Sequence, residues 1–225
     1  ELAALLGALQ RFGGQVSWRA LEGGAQRPYE VNIALYDALQ GTVRGPDSWG
    51  FARFVCAHAI MFALEGIPGL YIHSLLGTRN DYQRMAHTGH NRAINRHQWQ
   101  WSELEAQLAD PASTHRQVML ALEGLLRLRG AQPAFHPNAA QFTLQLGSAL
   151  FGFSRHSQEA AQQIFCISNI SDEPQRLNLL DLSLPEEAQW EDLISGEPYP
   201  DLDQSLQLEP YRTVWISGRT TITHR

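Results

Sequence analysis

EGIPGLYIHSLLGTRND, residues 65 to 81, places a short apolar run between two turn signals and then drops into a polar segment without regular pattern. The run Gly69 to His73 follows Pro68, precedes Gly77 and lacks the strict alternation of a half-wet strand. It reads as a short strand covered on both faces, which belongs in an α/β sheet or barrel. In such folds ligands bind at the loops leaving the carboxyl ends of the strands. That makes Ser74 to Trp101 the first place to look for chemistry.

The rest of the chain is organised around this run. Residues 1 to 12 form an apolar-faced helix stopped by Gly13-Gly14, and QVSWRALEGGAQRPYEVNI reads as a hairpin or long excursion around Gly23-Gly24. From about Phe51 to Leu64, helical spacing puts Phe51, Phe54, Val55, His58 and Phe62 on one face; a second helix, about Ser113 to Arg129, turns Val118, Leu122, Leu125 and Leu126 inward. Past GAQPAFHPNAAQ the period becomes short and strand-like, with FTLQLG, ALFGFSRH, QQIFCISNI, QRLNLLDL, QWEDLI, SLQLEP and RTVWISG separated by turn residues. That is the rhythm of an antiparallel sandwich. The expected division is therefore a β/α part over 1–135 and an antiparallel β domain over 136–225.

Composition excludes several classes. With 225 residues, 44% of them hydrophobic, the chain can bury a sizeable core. A net charge of -6 with no basic cluster argues against nucleic acid and against a membrane surface as partners. No apolar run reaches the roughly 18 residues of a membrane span, and no signal peptide opens the sequence. The two cysteines, Cys56 and Cys166, lie far apart in apolar stretches and read as reduced core thiols, which favours a cytoplasmic location. The sequence starts at Glu1, without Met, directly in an apolar-faced helix, and this suggests a piece of a longer protein.

Four blocks carry a family likeness: YEVNIALYDAL, HAIMFALEGIPGLYIHSLLGTRND, TGHNRAINRHQW and AQPAFHPNAAQ. They resemble segments of the sucrose phosphorylase-like sugar phosphorylases of glycoside hydrolase family 13, and EDLISGE and LEPYRTVWI resemble that family's C-terminal β domain. The likeness is strongest from Pro28 to Gln141. It implies the last third of a (β/α)8 TIM barrel followed by an antiparallel β-sandwich, and an enzyme that transfers glucose, with retention, from a glucoside to inorganic phosphate. Such chemistry uses two carboxylates about 5–5.5 Å apart and neither metal nor organic cofactor. In the family these carboxylates lie on middle strands and a third acid follows the seventh. No stretch here matches those motifs, so no catalytic residue is assigned.

The resemblance does assign binding residues. Arg92, in HNRAINR, matches a family arginine that closes the floor of the glucose pocket; its bland alternative is a solvated loop arginine. Arg96 matches a scaffold position. Tyr29-Glu30 replaces a family Tyr-Gln pair on the acceptor side, and a carboxylate there repels phosphate unless a cation such as Arg27 offsets it. This puts fructose as acceptor in doubt and leaves room for a small acid, as in the related glucosylglycerate phosphorylases; an ordinary hairpin carboxylate is the alternative. Asp37 reads as a structural or capping carboxylate. His87, His90 and His97 share a loop without a metal-site spacing, so no metal is expected. Trp99, Trp101 and Tyr82 can stack on sugars or simply cover the rim. His58 reads as a core histidine. Two other functions remain open, a carbohydrate-binding protein without catalysis and an α-glucosidase or transglucosylase of the same family. The oligomeric state is not legible.

Overall fold

The computed structural model describes residues 1–182, 184, 185 and 188–220. They form two compact units, Glu1–Phe54 with Leu70–Ala121, and Val55–Gly69 with the chain from Leu122 onward.

The first unit begins with helix α1 (Leu2–Arg11), which buries Leu6 and Ala8. It stops at Gly13, whose φ of +90° suits a residue without Cβ; a Cβ there would also lie 1.8 Å from the Tyr82 hydroxyl. An antiparallel hairpin follows, β1 (Gln15–Ala20) and β2 (Gln26–Asn32), turned by Gly23 and Gly24, both at positive φ. Ser17 pairs with Glu30 and Trp18 with Pro28, so Tyr29 is an extra residue that β1 does not oppose: a bulge.

Beyond the hairpin come a single helical turn α2 (Leu35–Ala38) and two-residue strands β3 (Gly41–Thr42) and β4 (Gly45–Pro46). Helix α3 (Gly50–Ala63) starts in this unit, where Phe54 meets Tyr36 edge-on at 5.0 Å. The polar segment is built from α4 (Ile72–Leu75), α5 (Tyr82–Thr88), a 3-10 turn (Asn91–Asn95), α6 (Trp101–Ala109) and the start of α7 (Thr114–Gly130).

Buried Asp37 organises this segment: it accepts from Arg79 Nε and from the Asn80 backbone N–H, each at 2.5 Å. Asn80 in turn accepts from the Ala34 N–H at 2.7 Å and donates to the Phe12 carbonyl. Asp37 is thus the structural carboxylate its sequence context suggests.

The covered strand expected at Gly69–His73 is not formed. Residues 67–71 have no regular secondary structure and α4 begins at Ile72. Ile67, Tyr71 and Ile72 are 85%, 50% and 53% exposed. Tyr71 keeps an extended backbone, but a strand exists only by hydrogen bonding to a neighbour, and among the described residues none pairs with this segment.

The second unit holds the larger core. Its main sheet has six described strands in the order β10-β9-β12-β7-β6-β5, all antiparallel: β5 (Ala140–Leu144), β6 (Leu150–His156), β7 (Gln163–Asn169), β9 (Ala188–Asp192), β10 (Pro198–Tyr199) and β12 (Thr213–Thr220). A second sheet pairs β8 (Gln175–Asn178) with β11 (Ser205–Leu208). Phe165, Ile167, Val214 and Ile216 of the first pack with Leu177 and Leu208 of the second. Each such side chain, fully buried, contributes roughly 1.5–3 kcal/mol.

On the opposite face of the main sheet, Ser168 and Thr213 share a hydrogen bond at 2.8 Å, and Thr213 donates on to the Cys56 sulfur of α3. Burial pushes both thiols, Cys56 and Cys166, above the ordinary range, and both are free, as read from the sequence. Fully buried Arg155 bonds to no carboxylate among the described residues; it donates to the carbonyls of Ala63, His136 and Ala139 and thereby ties β6 to the end of α3.

Candidate functional site

An open cleft of about 660 Å³ lies in the first unit, lined by Ser17, Glu30, Arg84, His90, Arg92 and Arg96 among others. The hairpin supplies one wall. The tyrosine bulge lets Glu30 stand opposite Ser17, where its carboxylate faces the 3-10 turn. The other wall runs from α5 to that turn. Asp81 caps α5 by accepting from the Arg84 N–H at 2.7 Å, and Gly89, at φ +68°, ends it after seven residues. The chain then turns back so that Arg92 and Arg96 line the same cleft as Arg84.

Arg92 and Glu30, 62 residues apart in the chain, meet here. Arg92 Nε donates to Oε1 at 3.1 Å and to Oε2 at 2.9 Å. Glu30 takes Nε alone, so the two terminal amino groups of the fork are not spent on it. The Arg92 guanidinium is pushed above its ordinary value, first by the Glu30 hydrogen bond and charge, with a smaller push from Tyr29. Two further bonds join the walls: Asn91 Nδ2 to Ser17 Oγ at 3.4 Å, and Asn95 Nδ2 to the Ile33 carbonyl at 3.5 Å.

The cation that meets Glu30 is therefore Arg92. Arg27 does not supply the offset: it is exposed, across the hairpin from Arg19. Among the lining residues three arginines stand against one carboxylate, so the cleft favours an anion. No signal in the sequence points to Arg84, and the resemblance makes Arg96 a scaffold residue. Arg84 lies on α5 before Gly89 and Arg96 just past the 3-10 turn that follows it, and no spacing rule carries across such a turn.

The remaining candidates form a separate group. His97 Nδ1 lies 2.7 Å from Asp81 Oδ2. Burial raises the Asp81 carboxyl, but the Arg84 N–H and His97 outweigh it and hold the group below its ordinary value. Trp99 donates to Thr78 Oγ1 at 3.1 Å and stands edge-on between His97 and His115, so it is packed rather than open as a stacking platform. Tyr82, half exposed, and Trp101, 74% exposed, have faces free for contact. His58 is buried against Phe62, as expected of a core histidine. His90 lines the cleft, and His87 is exposed on α5. Among the described residues no three His, Cys, Asp or Glu side chains converge as a metal set, and no helix is long and apolar enough to cross a membrane.

The chain superimposes on the crystal structure of sucrose 6F-phosphate phosphorylase from Thermoanaerobacter thermosaccharolyticum with a TM-score of 0.59 and 22% identity, over 75% of this chain and 31% of that one. The fold corresponds to the last part of an amylase-like (β/α)8 barrel with the antiparallel β domain that follows it. No protein-family profile matches. Sequence similarity is more specific. The chain is 35% identical to the glucosylglycerate phosphorylase of Allomeiothermus silvanus over 96% of its own length and 36% of that enzyme's. It is 33% identical to the sucrose phosphorylase of Agrobacterium vitis, over 59% of its length and 24% of that enzyme's. It is a homologue of the sucrose phosphorylase-like sugar phosphorylases of glycoside hydrolase family 13. The chain spans about a third of the length of the glucosylglycerate phosphorylase it matches.

Proposed function

We propose that this chain forms part of a retaining α-glucosyl phosphorylase whose acceptor is a small hydroxy acid of the glycerate type. The observation that carries the reading is the Arg92–Glu30 bond. Two blocks that the resemblance assigns to the two sides of the sugar site, far apart in sequence, converge on one cleft. In the proposed reaction a carboxylate nucleophile attacks the anomeric carbon, a general acid protonates the departing acceptor oxygen, and phosphate oxygen then displaces the carboxylate to give α-glucose 1-phosphate. Neither carboxylate is assigned in this chain. Arg92 holds a glucose hydroxyl with the amino groups that Glu30 does not take. Tyr29 and Glu30 shape the acceptor side, and Glu30 keeps Arg92 oriented. The division at residues 135/136 into barrel part and β domain, and a cytoplasmic location in keeping with two buried free thiols, belong to the same reading.

Protein expressed from the whole open reading frame containing this chain tests it. Incubated with inorganic phosphate, it should release α-glucose 1-phosphate from 2-O-α-glucosylglycerate faster than from sucrose. Release of free glucose without the phosphate ester would establish a hydrolase instead, and tight sugar binding without turnover would establish a binding protein.

A further inference from the structure

We propose that Arg84, seconded by Arg96, forms an oxyanion subsite beside the Arg92–Glu30 pair and reads the negative charge of the acceptor. This rests on the phosphorylase reading for the identity of the ligand, and on geometry alone for the existence of the subsite.

Three observations carry it. The first is charge imbalance: Glu30 is matched by Arg92, which leaves two arginines on the cleft wall with no side-chain acceptor among the described residues. The second is desolvation. Arg84 Nε is shut off from solvent and has no hydrogen-bond partner. With Nε buried, the terminal amino groups are the donors Arg84 has left to offer the cleft, and a charged group already stripped of part of its water gains most from a charge-assisted bond there. The third is fixation. The Arg84 backbone N–H is bonded to Asp81, and its carbonyl accepts from Thr88 Oγ1 at 2.9 Å, so the base of the side chain is held at both ends of a short helix. The nearby Asp81 carboxylate does not pair with the Arg84 side chain: its own oxygens are engaged by the Arg84 backbone N–H and by His97.

A planar fork without a partner on a cleft wall suits a carboxylate or a phosphate, both of which accept two parallel N–H bonds. Neutral acceptors of the same shape gain nothing from it. Arg84 is in this account a specificity-determining residue, distinct from Arg92, which serves the sugar.

The test is calorimetric titration of the whole-frame protein with D-glycerate, glycerol and inorganic phosphate, for the native sequence and for Arg84→Gln, Arg84→Lys and Arg96→Gln. The expected result is that Arg84→Gln lowers the glycerate-to-glycerol affinity ratio at least tenfold, Arg84→Lys partly restores it, and Arg96→Gln lowers it less. If phosphate affinity falls in parallel, the subsite serves both oxyanions in turn; if it is unchanged, the subsite belongs to the acceptor carboxylate. An unchanged ratio in Arg84→Gln, in protein whose melting is native-like, overturns the proposal. Because binding is read directly, a protein that binds glycerate through Arg84 yet forms no glucose 1-phosphate sinks the phosphorylase reading and leaves the subsite standing. Turnover with an unchanged ratio does the reverse.

Discussion

Arg92 Nε bridges both carboxylate oxygens of Glu30 across 62 residues of chain. The pair is solvent-exposed, with side-chain exposures of 56% and 34%, and exposed pairs of this kind add little to stability. Its effect should be on orientation. Arg92→Ala, made in the whole-frame protein, is expected to leave the melting temperature unaltered and to lower kcat/KM for glucosyl transfer by about a hundredfold, the scale of a misplaced reactant. Unchanged transfer would remove Arg92 from the sugar site. Glu30→Gln keeps the shape and removes the one carboxylate among the cleft-lining residues, so it should shift acceptor preference further towards the acid and away from neutral sugars, read from the ratio of the two kcat/KM values.

Asp37 is a different kind of carboxylate. It is buried, and it accepts from one guanidinium and one backbone N–H. Asp37→Ala would leave both donors without their acceptor, at a cost of roughly 2 kcal/mol, read as a lower urea midpoint at constant slope. An unchanged midpoint would mean that the loop after α4 is held by other bonds.

Gly13 sits at φ +90° against the Tyr82 hydroxyl. Gly13→Ala meets both an unfavourable backbone region and a steric clash, and is expected to destabilise the first unit by roughly 2 kcal/mol. Shortening the neighbour as well, in Gly13→Ala/Tyr82→Leu, should recover the steric part and leave the backbone part. The double mutant melting no better than the single would show that the clash is not the cause.

His73 is the pH-sensitive group. Burial first, and then the nearby His97, lower it below its ordinary value of 6.5. The unfolded chain therefore binds the proton more readily than the folded one, so this contribution to stability is complete above pH 6.5 and is lost as pH falls from there through the folded value. Denaturation at pH 7.5 and pH 5.5 should show a loss that His73→Gln reduces. Equal losses in both proteins would assign the effect elsewhere.

Arg155 gives a prediction for the second unit. Arg155→Met fits the space but abandons the three carbonyls the guanidinium now serves. The expected cost is roughly 3 kcal/mol. Arg155→Lys should not restore it, because one ammonium cannot reach three diverging oxygens.

Local periodicity made much of this architecture legible. The helices at 1–12, 51–64 and 113–129, the hairpin and the run of short strands all emerge from residue spacing, because each is stabilised mainly by its own pattern of buried and exposed positions. The segment 67–71 was not legible: its Leu-Tyr-Ile composition suits a strand, but pairing is a property of the neighbour. In the site, Arg92 and Glu30 were each readable from the resemblance, while their meeting depends on the bulge at Tyr29, which no alternation rule reports. Arg27, three residues from Glu30 in sequence, looked like its natural partner. Across the hairpin, however, it stands opposite Arg19.

The three bonds between the walls of the cleft have a kinetic consequence. Arg92–Glu30, Asn91–Ser17 and Asn95–Ile33 all join segments more than sixty residues apart, and all involve partly or fully exposed groups. Such closures are slow to nucleate and easy to release. Amide protons of β1 and β2 should therefore exchange with deuterium through partial openings that leave β7 and β12 protected, and a bound anion should slow that exchange.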